Sequence, residues 1–117
     1  MKFKLIENYI HATNTHDFDN LVPLISDTAT YQFTDKTCVG LKEIREYFEN
    51  AWDIIKEEKY YATDITCLVQ NEEVKVYIYN YHYEGFHNGS FTSGGGKATN
   101  VFQLLNDEWK LVLEHLN

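Results

Sequence analysis

The sequence predicts an α+β fold in which helices cover one face of a curved, mostly antiparallel sheet. Helical periodicity is confined to the first half of the chain. The second half is a succession of alternating runs joined by short polar turns. The resulting order is helix, helix, strand, helix and then four strands in hairpin succession, the arrangement that segregates helices to one side of a sheet. One domain, spanning residues 1–117, is expected from this length.

Composition narrows the partners. The chain is 44% hydrophobic and 15% aromatic, with nine Tyr and seven Phe, which argues against disorder. Its formal charge is −8 and Arg45 is its single arginine, so no clustered basic face is offered to a nucleic-acid backbone. No apolar run approaches the roughly 20 residues needed to span a bilayer, so no membrane partner is expected. The first twelve residues, MKFKLIENYIHA, are amphipathic and lack the apolar core of a signal peptide, which makes a cytoplasmic location the default expectation. Cys38 and Cys67 lie outside any CxxC motif and read as reduced thiols within the packing.

Taken in order, Lys2 to Asn14 is predicted helical, because Phe3, Ile6, Ile10 and Thr13 recur at helical spacing while Leu5 and Tyr9 widen the stripe. Asn14 to Asp17 is a break. Asp17 or Asn20 can cap a second short helix running through Ile25, and Pro23 favours Asn20, since it would then lie in the first turn. Ala29 to Phe33 alternates Tyr31 and Phe33 against Thr30 and Gln32, a half-buried strand. Asp35-Lys36-Thr37 is a loop. After Gly40 comes the clearest helix, Leu41 to about Lys56, with Leu41, Ile44, Phe48, Trp52 and Ile55 as its core stripe. Tyr60 to Gln70 and Val74 to Phe86 are strands around an Asn71-Glu72-Glu73 turn. Asn88-Gly89 signals a hairpin. The glycines at 94, 95 and 96 interrupt the return strand as a bulge or bend. Ala98 to Leu105 and Trp109 to Leu116 complete a four-stranded antiparallel meander.

Several short motifs recur here in a familiar order: the Asp17-x-Asp19 break, Gly40 followed by Leu41-x-x-Ile44-Arg45, Gly96-x-Ala98-Thr99, and Trp109-x-Leu111-Val112-x-Glu114-His115. Over nearly the whole chain they resemble the SnoaL-like branch of the nuclear transport factor two-like superfamily. The resemblance implies a cystatin-like cone, with three N-terminal helices packed on a strongly curved, mostly antiparallel sheet around a pocket. It also implies a homodimer joined through the outer sheet face. The superfamily hosts cofactor-free isomerases, cyclases, dehydratases and hydrolases, alongside binding proteins and assembly domains. The closing hairpin is similar as well to the association domain of calcium/calmodulin-dependent protein kinase, which has counterparts of Thr99, Trp109 and His115. That domain's pocket arginines fall at Asn80 and Asn100 here, so a bidentate clamp for a carboxylate is not preserved. An anionic ligand and a large ring assembly are both disfavoured on this ground.

The strand Val74–Phe86 has two faces. Tyr77, Tyr79, Tyr81 and Tyr83 line one, Val76, Ile78, Asn80, His82 and Glu84 the other. The tyrosine face reads either as a cavity lining or as an outer face paired with a second subunit, and the second reading is favoured because exposed aromatic patches mark interfaces. His82 is then the best general acid/base, with Glu84 or Glu114 to fix its tautomer. Glu114 and His115 point to opposite faces, and the kinase-domain spacing places the Glu114–Leu116 side on the pocket. Asn80 and Asn100 can donate to a carbonyl oxygen or a developing oxyanion, and Tyr31, Tyr47 and Trp52 can line the cavity. A bland reading stands beside each: a packing histidine, a solvated acid, asparagines satisfying backbone, and ordinary aromatic core. There is no GxSxG elbow, no phosphate loop opening a helix and no histidine pair at metal-ligand spacing, so neither cofactor nor metal is expected. Three functions follow. In order of preference for the first, they are binding of a small, weakly polar organic molecule, cofactor-free enzymatic proton transfer by His82 or Glu114, and dimeric assembly.

Overall fold

The computed structural model describes residues 3–117; Lys2, at the start of the first predicted helix, lies outside them. Helix α1 (Lys4–Asn14) buries Ile6, Tyr9, Ala12 and Thr13. Its buried stripe is turned toward Tyr9, leaving Phe3 and Ile10 half-buried. Two 3-10 turns, Phe18–Asn20 and Val22–Leu24, occupy the place of the second helix. Asp17, not Asn20, is the cap: its Oδ1 accepts the Asp19 N–H at 3.0 Å, while the Asn20 amide donates to Thr15 Oγ1 at 3.0 Å. Pro23 sits early in the second turn, where no N–H is required of it.

Strand β1 (Ile25–Gln32) starts earlier than its alternation suggested. It pairs antiparallel with β2 (Thr37–Val39), an unpredicted short strand that begins on the last residue of the expected Asp35-Lys36-Thr37 loop. Helix α2 (Leu41–Ile54) follows Gly40, whose φ of 87° lies in the region glycine adopts without steric cost. Glu43 reaches back so that its Oε1 accepts the Val39 N–H at 2.9 Å, which pins the helix start. Ile44, Phe48 and Trp52 are the buried face of α2. Each contributes roughly 1.5–3 kcal/mol by leaving water.

The remaining strands are β3 (Lys56–Gln70), β4 (Val74–His87), β5 (Ser90–Leu105) and β6 (Glu108–Leu116), and they form the predicted antiparallel meander. The full sheet order is β2-β1-β6-β5-β4-β3. Its one parallel pairing, β1 with β6, joins Tyr31 to Glu114 and Gln32 to His115 and was not foreseen. The fold is therefore α+β, with the helical segments on the concave side of a six-stranded sheet. Among the described residues no helix is long and apolar enough to cross a membrane.

The two faces of β4 are the reverse of the favoured expectation. Tyr77, Tyr79 and Tyr81 point inward and are 2%, 3% and 7% exposed, whereas Ile78 on the outer face is 37% exposed. Aromatic rings bring more apolar area than Val or Ile, so burying them is the larger gain. They also find aromatic partners inside: Tyr77 packs edge-on to Phe102 at 5.9 Å between centroids and to Phe3 at 6.3 Å. The glycine run makes no bulge. Pairing continues unbroken through Tyr83↔Gly94, His82↔Gly95 and Tyr81↔Gly96. A Cβ at Gly94 would lie 2.5 Å from the Tyr83 hydroxyl oxygen, so the bare strand makes room for the neighbouring ring.

Candidate functional site

The registers of β1, β6 and β5 assemble the centre of the site. Glu114 is the cross-strand neighbour of Tyr31 on one side and of Asn100 on the other. All three side chains lie on the inner face, and Tyr31, Asn100 and Glu114 are 0%, 0% and 2% exposed. The Asn100 amide donates to Glu114 Oε1 at 2.9 Å. Tyr9 descends from α1 to meet Tyr31, their hydroxyls 2.9 Å apart. Burial pushes the Glu114 carboxyl up to about 7, because little water is left to solvate its charge; the hydrogen bonds from Asn100 and Tyr9 work in the opposite direction. Burial, with Glu114 close by, holds the phenols of Tyr9, Tyr31, Tyr60 and Tyr79 well above their usual range, so they are neutral hydroxyls at physiological pH.

Glu114 opens onto a cavity of about 240 Å³. Helix α2 supplies Phe48 and Trp52, β3 supplies Glu58 and Tyr60, β4 supplies Tyr81 and Tyr83, and Leu116 lies beside Glu114. The rim is fixed by side-chain bonds across the start of β3. Asn14 acts as a substitute strand partner: its Nδ2 donates to the Tyr60 carbonyl and its Oδ1 accepts the Tyr60 N–H, each at 2.7 Å. His16 Nε2 lies 2.8 Å from the Glu58 carbonyl oxygen, and the imidazole stacks on Trp52 at 5.3 Å. At the other edge of the cavity Tyr47 stacks on Phe33 and donates to Asp35 Oδ1 at 2.7 Å.

Glu58 is the site residue that sequence reasoning missed. The run Lys56-Glu57-Glu58-Lys59 reads as a solvated junction between helix and strand. In the structure Glu57 has a φ of 54°, the register shifts between Lys56 and Lys59, and Glu58 turns to the inner side. Burial pushes its carboxyl up to about 7 as well. The available signal was parity, because Glu58, Tyr60 and Ala62 are the less exposed members of an alternation that begins before Tyr60.

Of the predicted site residues, Glu114, Trp52 and Tyr47 line the cavity. Asn100 lies behind Glu114; its Nδ2 is committed to the carboxylate, and its buried Oδ1 has no partner among the described residues. Tyr31 stands behind Tyr9 and reaches the site through that hydroxyl pair. The placement of His82 and Asn80 at the pocket mouth is overturned. Both lie on the outer face of β4, half-exposed and away from Glu114. His82 Nε2 lies 2.8 Å from Thr63 Oγ1, with the imidazole stacked on Tyr61 at 4.7 Å. Asn80 donates to Asp64 Oδ2 at 2.8 Å and accepts from Lys97 Nζ at 3.1 Å. The physical reason is the inverted strand: once the tyrosines occupy the inside, every second residue of β4 must face out. Glu84 shares that outer face, so neither it nor Glu114 pairs with His82 inside the cavity. Among the described residues, no group of three or more His, Cys, Asp or Glu side chains could hold a metal ion.

Residues 4–116 match the model of the SnoaL-like domain family. No curated protein matches the chain. Solved structures with the same fold include a nuclear transport factor 2 (NTF2-like) superfamily protein from Salmonella enterica serovar Typhimurium, at a TM-score of 0.87 and 16% identity, covering 97% of this chain and 85% of that one. A protein of unknown function with a cystatin-like fold from Nostoc punctiforme superposes with a TM-score of 0.81 at 13% identity, covering 97% and 84%. The association domain of calcium/calmodulin-dependent protein kinase II from C. elegans does so with a TM-score of 0.76 at 15% identity, covering 96% and 88%. Identities this low establish the shared fold.

Proposed function

We propose that this chain, which belongs to the SnoaL-like domain family, binds a small, weakly polar organic molecule in the cavity bounded by Glu114, Glu58 and Trp52. One observation carries this reading: a preformed cavity of about 240 Å³ with mostly aromatic walls and two carboxyl groups in its lining. The volume falls below the ~300–1,000 Å³ usual for drug-sized ligands, which restricts the occupant to a small molecule. In this reading Trp52 is a wall, Glu114 is the polar anchor, Asn100 orients that anchor, and Tyr31 with Tyr9 holds it from behind. A thermal-shift screen against small amines, alcohols, ketones and acids tests it. A ligand at about 100 times its dissociation constant should stabilise the fold by roughly 2.7 kcal/mol. A well-folded sample that shifts with no compound in the set would remove the reading.

The Glu114 carboxyl also favours a second one. A carboxyl held near neutrality and facing a cavity can both take and give a proton. The cavity would then serve a cofactor-free isomerase, cyclase, dehydratase or hydrolase with Glu114 as its base. Replacement by Gln should abolish turnover of any substrate found, and a fully active Glu114→Gln variant would exclude this chemistry.

A homodimer through the outer sheet face is part of the proposal. Val76, Val101 and Leu113 are register partners on that face, beside exposed Ile78. Kinship of fold with an association domain lends support. Sedimentation at micromolar concentration should find a dimer in the wild type and a monomer in Ile78→Lys.

A further inference from the structure

Among the described residues the cavity carries two acids and no base: Glu58 and Glu114 line it, and no described Lys, Arg or His does. Neither carboxylate has a cationic partner among the described residues. Glu114 receives its hydrogen bonds from the neutral Asn100 amide and the Tyr9 phenol, and the Glu58 side chain takes part in no hydrogen bond or ion pair among the described residues. The basic groups nearest in the chain are engaged elsewhere: Lys56 pairs with Asp53, and Lys59 lies over the Tyr61 ring on the other side of β3. His16, which is not among the described lining residues, is turned to the Glu58 carbonyl and stacks on Trp52. Two carboxyl groups drawn into one partly dry space have no counter-charge beside them, so a cation that enters is the group that lets both ionise.

The walls point to the same ligand chemistry. Trp52, Tyr60, Tyr81 and Tyr83 bring electron-rich rings to the space that holds the two acids. Aromatic faces attract cations through their quadrupoles, Trp and Tyr most strongly, and the attraction grows where water is excluded. An anion would meet like charge and no donor cation. A neutral molecule would leave the acids either protonated or, where they ionise, without a counter-charge.

Resting on the binding function proposed above, we infer that the cavity's ligand is a small organic cation, an amine protonated or fully alkylated at nitrogen, seated between the Glu58 and Glu114 carboxylates within the ring of Trp52, Tyr60 and Tyr81. The nitrogen supplies the missing counter-charge, and its hydrocarbon body fills the apolar wall around Phe48 and Leu116.

Calorimetric titration of the whole chain with three compounds of matched size and different charge tests this: benzylamine, benzyl alcohol and benzoate. The work is done at pH 8, above the level near 7 to which burial pushes both carboxyls. Benzylamine should bind at least about tenfold more tightly than benzyl alcohol, and benzoate should give no heat of binding. Glu58→Gln and Glu114→Gln should each cut the amine's affinity and bring the amine-to-alcohol ratio toward one. Glu58 is half-buried at the rim, so its variant keeps the test decisive if the deeper substitution perturbs folding. Equal affinity for amine and alcohol, or preference for benzoate, would overturn the cation while leaving the cavity a binding site. Failure of all three to bind a folded sample would overturn both.

Discussion

The two faces of strand β4 are made from the same 14 residues, and they meet opposite fates. One side places three tyrosines under the helices within 7% of full burial, with Tyr77 packed against Phe3 and Phe102 and Tyr81 stacked on Tyr60. The other carries Val76, Ile78, Asn80 and His82 outward, with Thr63, Asp64 and Lys97 as polar neighbours. Period-two alternation separates two sets of residues without saying which is inside. Apolar area decides, and here it lies with the rings despite their hydroxyls. The chemistry follows: the face holding histidine and asparagine is a surface, while the tyrosine face looks onto the cavity that Glu114 of β6 also lines.

The sharpest contrast is between neighbours. Tyr79→Ala should lose about 3–5 kcal/mol of stability, as truncation of a buried aromatic does. Ile78→Ala, one residue away, should lose about 1 kcal/mol or less as a monomer. Urea midpoints at equal slope measure both. Similar losses at the two positions would break the inside–outside assignment.

Next in size is the buried acid. The folded state holds Glu114 protonated up to about pH 7, whereas its ordinary value is 4.5. The folded chain therefore binds more protons than the unfolded chain between those limits, and stability falls as pH rises through that window. A rise of this size is worth about 3 kcal/mol at 1.36 kcal/mol per unit. Stability is fully present below pH 4.5 with respect to this group and is lost through pH 7. Glu114→Gln should thus be more stable than wild type by up to about 3 kcal/mol at pH 8 and nearly equal to it at pH 4, read from denaturation at both. Glu58 shifts in the same direction and steepens the wild-type slope.

The Asn14 clamp gives a smaller effect. Asn14→Ala removes two hydrogen bonds to the Tyr60 backbone and should cost about 1–2 kcal/mol. It should also speed amide exchange at Tyr60 more than at Tyr79. Smallest of all, His82→Ala should change stability by about 0.5 kcal/mol and leave cavity binding unaltered, since its contacts are on the outer face. A loss of ligand affinity there would return His82 to the site.

Much of the architecture was legible because it is local. The Ile44-Phe48-Trp52 spacing, the Asn88-Gly89 turn and the meander from β3 to β6 all depend on residues close in sequence. The parallel docking of β1 on β6 was not, because nothing near Tyr31 announces that Glu114, across most of the chain, will lie beside it. The side of β6 that faces inward was legible only through the resemblance of the closing hairpin, which placed Glu114 correctly with Leu116. Asn100 was identified with the wrong task. It was expected to donate to a substrate, and its amide donates to Glu114 instead. Glu58 was hidden because a charged junction gives no hint of the left-handed turn at Glu57 that redirects it.

The position of β6 carries a consequence for biosynthesis. The strand between β1 and β5 is the sixth of six in chain order. A nascent chain can close the β3–β4–β5 hairpins as they emerge, but the β1–β2 pair has nothing to join it to them until residues 108–116 leave the ribosome. Such long-range closure slows folding. In the interval, β1 and β5 each expose an unpaired edge suited to misplaced strands. The strand that completes the sheet also delivers Glu114, so closure of the sheet and completion of the cavity wall are a single late event.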